Sequence, residues 1–160
     1  MSLVQYLRKH MLVGDGAMGT MLHGWGVPVG ACGEEVNLTH PGVVRHVHAA
    51  YLAAGARLIE TNTYAANRVK LARHGLEKRL QEINRRGVEI AREAVDAFLG
   101  EGNEGPVFVV GAVGGLGHHR QDIPDEKVEE LFQEQMAVLL EAGVDGLILE
   151  TFVRLDEVLA

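Results

Sequence analysis

The sequence has one cysteine among its 160 residues, Cys32, so no intrachain disulfide can form. That excludes a disulfide-held secreted framework and fits a cytoplasmic protein best. Positive charge is also in short supply, with 15 Lys and Arg against 22 Asp and Glu and a formal net charge of −7. A broad nucleic-acid-binding face needs a basic surface to neutralise phosphates, and none is expected here. Arg79 and Arg85-Arg86 share their segment with Glu77, Glu82 and Glu89, which reads as a solvated helix face. Long apolar runs are missing as well. The stretch after Arg8, Lys9 and His10 is cut at Asp15, too short for a signal-peptide core. No window approaches the roughly 18 uninterrupted apolar residues of a membrane span.

What remains is the composition of a soluble globular chain, 47% hydrophobic and 23% charged, long enough for one domain with a core. Short apolar runs alternate with segments of helical period. Strands are expected near residues 10–15, 57–62, 107–112 and 146–151, each ending in small or polar residues. Between the first two, Thr39 reads as a helix cap with Pro41 in the first turn and Gly55 as the stop. Leu80, Ile83, Gly87, Ile90, Ala94 and Phe98 step by three or four along one apolar face. A glycine inside that face costs about 1 kcal/mol of helix propensity, and close helix–sheet approach would be a reason to keep it. Pro124-Asp125 opens a further helix that Gly143 closes.

Four such alternations with nearly continuous apolar strands point to a parallel sheet covered by helices. Ala54-Gly55 before Ile59-Glu60-Thr61 is echoed by Ala142-Gly143 before Leu149-Glu150-Thr151. Repeated units of this kind suit a (β/α) barrel, whose functional groups lie at the C-terminal strand ends. A doubly wound sheet gives the same pattern, so periodicity leaves both open.

The candidate chemistry sits at those strand ends. Gly14 to Thr20 is expected to be a loop of small residues, either an anion-approaching turn or a tight turn with Asp15 as its cap. No Gly-Lys-Ser/Thr follows, which excludes a Walker loop. Glu60 and Glu150 end apolar strands, where an unpaired carboxylate is costly. They either hold a substrate ammonium or pair with arginines such as Arg57 or Arg68. His46 and His48 are two apart on a helix and face different ways, and His118-His119 read as solvated loop residues. Cys32 has no Cys or His neighbour at metal spacing and reads as a buried thiol.

At the same strand ends the sequence resembles the homocysteine S-methyltransferase family. Asp15-Gly16-Ala17-Met18-Gly19-Thr20 is similar to its first-strand signature, and Cys32 to Asn37 with Leu38 to Pro41 to the lead into its first helix. Glu60 to Asn67 resembles the second-strand motif, Gly111 to Gly117 the third and Glu150-Thr151-Phe152 the fourth. The matches run in order along nearly the whole chain.

The resemblance implies an α/β fold, the N-terminal half of a (β/α)8 TIM barrel with about four βα units. Residues 1–160 would be one partial homocysteine-binding barrel domain, truncated at the C-terminal end. It implies methyl transfer to the homocysteine thiolate to give methionine. Zinc would bind and deprotonate the thiol, since a free thiol with a pKa of about 8.5 is mostly protonated at neutral pH. The segment Cys32 to Asn37 points to the methionine-synthase-like branch, with 5-methyltetrahydrofolate as the methyl donor. By resemblance Asp15 and Gly16 help bind the amino-acid end of homocysteine, Glu150 receives its ammonium, and Glu60, Thr61 and Asn62 line the same mouth.

Two departures stand out. Gly115 occupies a position where the family usually has proline, so that loop is expected to be looser or differently shaped. The zinc-binding cysteines have no counterparts, so the chain is expected to be inactive by itself. The competing reading is a catalytically silent half-barrel that binds a ligand or partner. A lyase or aldolase would need a Schiff-base lysine at a strand end, and Lys9, Lys70, Lys78 and Lys127 do not sit at one in the sequence. An open half-barrel, with an inner face expected from Val13, Ile59, Val110 and Ile148, should form a homodimer or, failing that, aggregate.

Overall fold

The structure, a computed structural model, describes residues 1–159. It opens with α1 (Leu3–Leu7), capped by Ser2 and Gln5, whose side chains each accept the other's backbone N–H. Helix α2 (Met18–Gly24) begins inside the segment expected to be a loop up to Thr20. Then come the short α3 (Val36–Thr39) and α4 (Pro41–Ala53). Thr39 is not the cap of α4. It ends α3 with its hydroxyl donating to Glu35 O, and His40 stands at the cap position instead. Gly55, at φ 106, closes α4 as expected, freeing the chain for β1 (Leu58–Glu60).

After β1 come α5 (Arg68–Ala72) and the long α6 (Leu80–Gly100), then β2 (Phe108–Gly114), α7 (Asp125–Glu141), β3 (Gly146–Glu150) and α8 (Leu155–Leu159). The sheet is parallel in the order β1-β2-β3. The four strands expected from sequence are three plus one bridge. Residues near 10–15 contribute only the parallel bridge Gly14 to Leu58, with Arg57 and Leu58 N–H donating to Val13 O and Asp15 N–H to Leu58 O. Val13 is 65% exposed, so little apolar burial supports a longer ladder there.

Register assigns the faces. Leu58 and Glu60 align with Phe108 and Val110, and Val110, Ala112 and Gly114 with Gly146, Ile148 and Glu150. These residues share one face. At its N-terminal end Tyr6 packs on Phe108 with ring centroids 5.5 Å apart, and Leu3 approaches Gly146. The opposite face carries Ile59, Val109, Val113 and Leu147 against the helices. Ile59 therefore does not belong to the inner face. It is fully buried among Leu52, Ala91, Ala94 and Val95 of α4 and α6. Burying such a side chain contributes about 1.5–3 kcal/mol, and it anchors β1 to the helix layer.

Two buried positions bear on stability. His48 of α4 is fully buried with neither ring nitrogen hydrogen-bonded, and burial pushes its pKa down to about 4. Gly87 lets α6 lie against the segment after β1: a Cβ there would stand 2.7 Å from Thr63 Cγ2 and 2.8 Å from Asn37 Nδ2. The close approach expected at this glycine is present. No described helix is long and apolar enough to cross a membrane.

Candidate functional site

The C-terminal strand ends open onto a cavity of about 660 Å³. Asp15 and Gly16 line it from the turn before α2, Glu60, Thr61 and Asn62 from the end of β1, and Glu150 from the end of β3. All six residues singled out from sequence therefore meet in one place. Neither arginine offered as a pairing partner reaches Glu60 or Glu150. Arg57 donates to Leu52 O and Ala56 O and lies over the Phe98 ring, and Arg68 pairs with Glu134 on the outside. Among the described residues neither glutamate takes part in a salt bridge.

Crowded acid groups shape the electrostatics. Asp15 Oδ2 accepts the Glu60 N–H at 3.1 Å, while Oδ1 is buried without a partner. Burial pushes Asp15 up to about 7 against that hydrogen bond, and the charges of Glu60 and Glu150 add to the rise. Glu60 is raised by burial and then by Glu150. Glu150 is raised by burial too, with Lys70 pulling the other way. Such a site is short of positive charge.

The walls are held by amides and hydroxyls. Asn62 Nδ2 donates to Gly33 O and Asn37 Oδ1, each at 2.9 Å, and Asn37 Nδ2 donates back to Asn62 O at 2.8 Å. Thr61 Oγ1 accepts the Ala112 N–H, and Thr63 Oγ1 donates to Ala112 O. Gln135 Nε2 reaches from α7 to Thr63 O at 2.7 Å, and Asn84 Nδ2 from α6 to Ala66 O at 2.8 Å. Thr61 and Asn62 thus line the cavity with polar groups already committed to its framework. Buried groups satisfied in this way fix one geometry. Thr151, at φ 55, adds a backbone conformation uncommon outside glycine at the cavity edge.

Cys32 stands apart from the acid cluster. Its thiol donates to Glu34 Oε2 at 3.6 Å, and burial, then the Glu34 charge, push it up to about 11. A protonated lone thiol does not make a zinc ligand set, and no group of three His, Cys, Asp or Glu among the described residues is arranged to hold a metal. The residues present do not fit the zinc implied by resemblance.

Opposite pH dependences follow from Asp15 and His48. Asp15 binds its proton more tightly folded than unfolded, so its contribution to stability falls as pH rises from about 4 to about 7. His48 binds its proton less tightly folded, so its contribution rises between about 4 and 6.5. Relative to the parent chain, Asp15→Asn should make the slope with pH more upward and His48→Leu more downward, read as urea midpoints across pH 4–8. Above pH 7 Asp15→Asn should also gain stability, because it removes a largely buried charge that has no cation beside it while an amide oxygen can still accept the Glu60 N–H. Equal slopes in both variants would overturn the assignment.

The family model described as homocysteine S-methyltransferase matches residues 12–160. The chain belongs to the homocysteine S-methyltransferase family. Methionine synthases of Mycobacterium leprae (strain TN) and Mycobacterium tuberculosis (strain ATCC 25618 / H37Rv) are each 30% identical over 161 residues, covering 93% of this chain and 13% of theirs. Crystal structures of the homocysteine methyltransferase MmuM from Escherichia coli are 30% identical and cover 98% of this chain. The metallated form has a TM-score of 0.86 and 59% of its chain covered, the apo form 0.76 and 54%. The chain thus spans about an eighth of the curated relatives and under two thirds of the solved ones.

Within this homocysteine S-methyltransferase fold, several contributors escaped the sequence reading. Glu34 lines the cavity and accepts the Ala65 N–H at 2.8 Å. Tyr64 and Thr151 line it too. Tyr64 directly follows the Glu60 to Thr63 run, and its partner is Gly114, where any Cβ would fall inside the Tyr64 ring. A glycine at a strand end facing an aromatic one unit earlier was the available signal. Gly115, in place of the family's usual proline, leaves room for the Glu157 carboxylate, which accepts the Leu116 N–H at 3.0 Å. That bond ties the loop to α8.

Proposed function

We propose that this chain is the homocysteine-holding part of a homocysteine S-methyltransferase that makes methionine. The observation that carries the reading is the convergence of Asp15, Glu60 and Glu150 on one cavity without an arginine or lysine of the described residues in a salt bridge to any of them. Three acid groups short of a counter-charge suit an amino-acid ammonium. Its arrival would favour the ionised form of Asp15, whose pKa of about 7 leaves it part-protonated at neutral pH. Gly16 and its small neighbours let the ligand's carboxylate approach the turn's backbone.

The resemblance of Cys32 to Asn37 to the methionine-synthase-like branch is the support for 5-methyltetrahydrofolate as the methyl donor of the whole enzyme. Zinc belongs in this proposal to ligands outside these residues. Residues 1–160 act as a partial barrel domain in a cytoplasmic protein, and pairing of two such domains through the open strand edge is the proposed association.

Calorimetric titration tests the ligand assignment. L-homocysteine should bind at least about tenfold more tightly than N-acetyl-homocysteine, which lacks the cation, as expected for a charged hydrogen bond. Equal affinities would remove the ammonium reading.

A further inference from the structure

The helix after β1 brings a cation to the back of the acid cluster. Lys70 of α5 is half-buried, and its Nζ sits 4.1 Å from the centre of the Tyr64 ring. It forms no salt bridge within 4.0 Å among the described residues, although Glu34, Glu150 and Glu157 are near enough for their charges to act on it. The tyrosine is itself fixed. Its ring occupies the space that a Cβ at Gly114 would need, its carbonyl accepts the Gly114 N–H at 3.0 Å, and Gly114 is the register partner of Glu150. Lys70, Tyr64, Gly114 and Glu150 thus form one contiguous stack at the ends of β2 and β3. A cation on an aromatic face gives up part of its hydration and is held there by the ring quadrupole. Held this way, it lends positive potential to the cavity without occupying it.

We propose that Lys70, seated on Tyr64, is a positioning residue that keeps Glu150 a charged acceptor for the ligand ammonium. This rests on the homocysteine reading above. The other carboxyl groups lining the cavity with Glu150 are those of Asp15 from the turn before α2, Glu34 before α3 and Glu60 of β1, and Glu157 of α8 is near enough to act on Lys70. Arg73, at the end of α5, acts on Lys70 as a like charge. The opposed effects of burial and Lys70 on Glu150 agree with the geometry.

The test is the titration of the Glu150 side-chain carboxyl carbon by NMR in the 160-residue chain, with Glu150→Gln supplying the assignment. In Lys70→Met the Glu150 transition should move to higher pH, and Lys70→Arg should restore it. Homocysteine affinity at pH 7 should fall about two- to fivefold in Lys70→Met, as for a screened ion pair, and recover at higher pH. If Lys70→Met does not fold, Lys70→Gln carries the same measurement. An unmoved Glu150 transition in a folded variant overturns the proposal. If that transition moves while Glu150→Gln leaves homocysteine binding unchanged, the coupling stands and the ligand assignment falls.

Discussion

Glu150→Gln is expected to weaken homocysteine binding about tenfold or more, since losing a charged hydrogen bond costs about 1.5–3 kcal/mol. The substitution keeps the shape of the side chain and removes its charge. Glu150 is the right place to ask because the fold does not use it: no hydrogen bond or salt bridge among the described residues involves its carboxylate. Its burial at the end of β3 costs stability rather than supplying it. The urea midpoint of Glu150→Gln should therefore stay at or above that of the parent chain. Weaker binding with intact stability is the signature of a ligand contact. Unchanged affinity in the folded variant would take Glu150 out of the site.

Gly87→Val should cost about 2–5 kcal/mol of stability, combining overpacking with the loss of a buried hydrogen bond. The Cβ position lies 2.7 Å from Thr63 Cγ2 and 2.8 Å from Asn37 Nδ2, and neither atom is free to retreat. Thr63 Oγ1 is bonded to Ala112 O, and Asn37 Nδ2 to both Asn62 O and Ile83 O. Gly87→Ala is the sharper comparison. Helix propensity alone would make it more stable by about 1 kcal/mol. The close approach predicts a net loss instead, read as a lower urea midpoint at an unchanged m-value. A gain in stability would show that Thr63 and Asn37 can move after all.

The strand ends and helix stops were legible because their signals are local. Gly55 and Gly143 close helices at positive φ, and Glu60 and Glu150 follow apolar runs that could only be strands. The orientation of β1 was not legible. Leu58 and Ile59 are both apolar, so alternation gave no reason to turn Ile59 toward the helices. The first strand was overread because Met11-Leu12-Val13 looks buried, whereas Met11 and Val13 are both exposed. Asn84 and Gln135 passed as ordinary helix residues because a polar side chain bonded to a distant carbonyl leaves no pattern in its own segment. Thr39 looked like a cap because a hydroxyl two residues before Pro41 fits one, whereas it ends a short helix of its own, α3, and bonds back to Glu35 O. The cavity's six sequence-derived residues were found through motifs. Its framework was not, since it depends on contacts that cross the whole chain.

The bond from Gln135 to Thr63 O joins residues 72 positions apart, and this separation orders events during synthesis. At about 5–20 residues per second, Gln135 is added about 4–14 s after Thr63. Until it clears the ribosome, the Thr63 carbonyl and the Asn84 amide lack their final partner, while the helix stretch containing Ile83, Val88 and Ile90 is already outside. Long-range contacts of this kind reward the chain only after their loop has closed. The segment that lines the cavity is therefore among the last parts of the emerging protein to become rigid, and the stretch most in need of a chaperone's cover while translation is still under way.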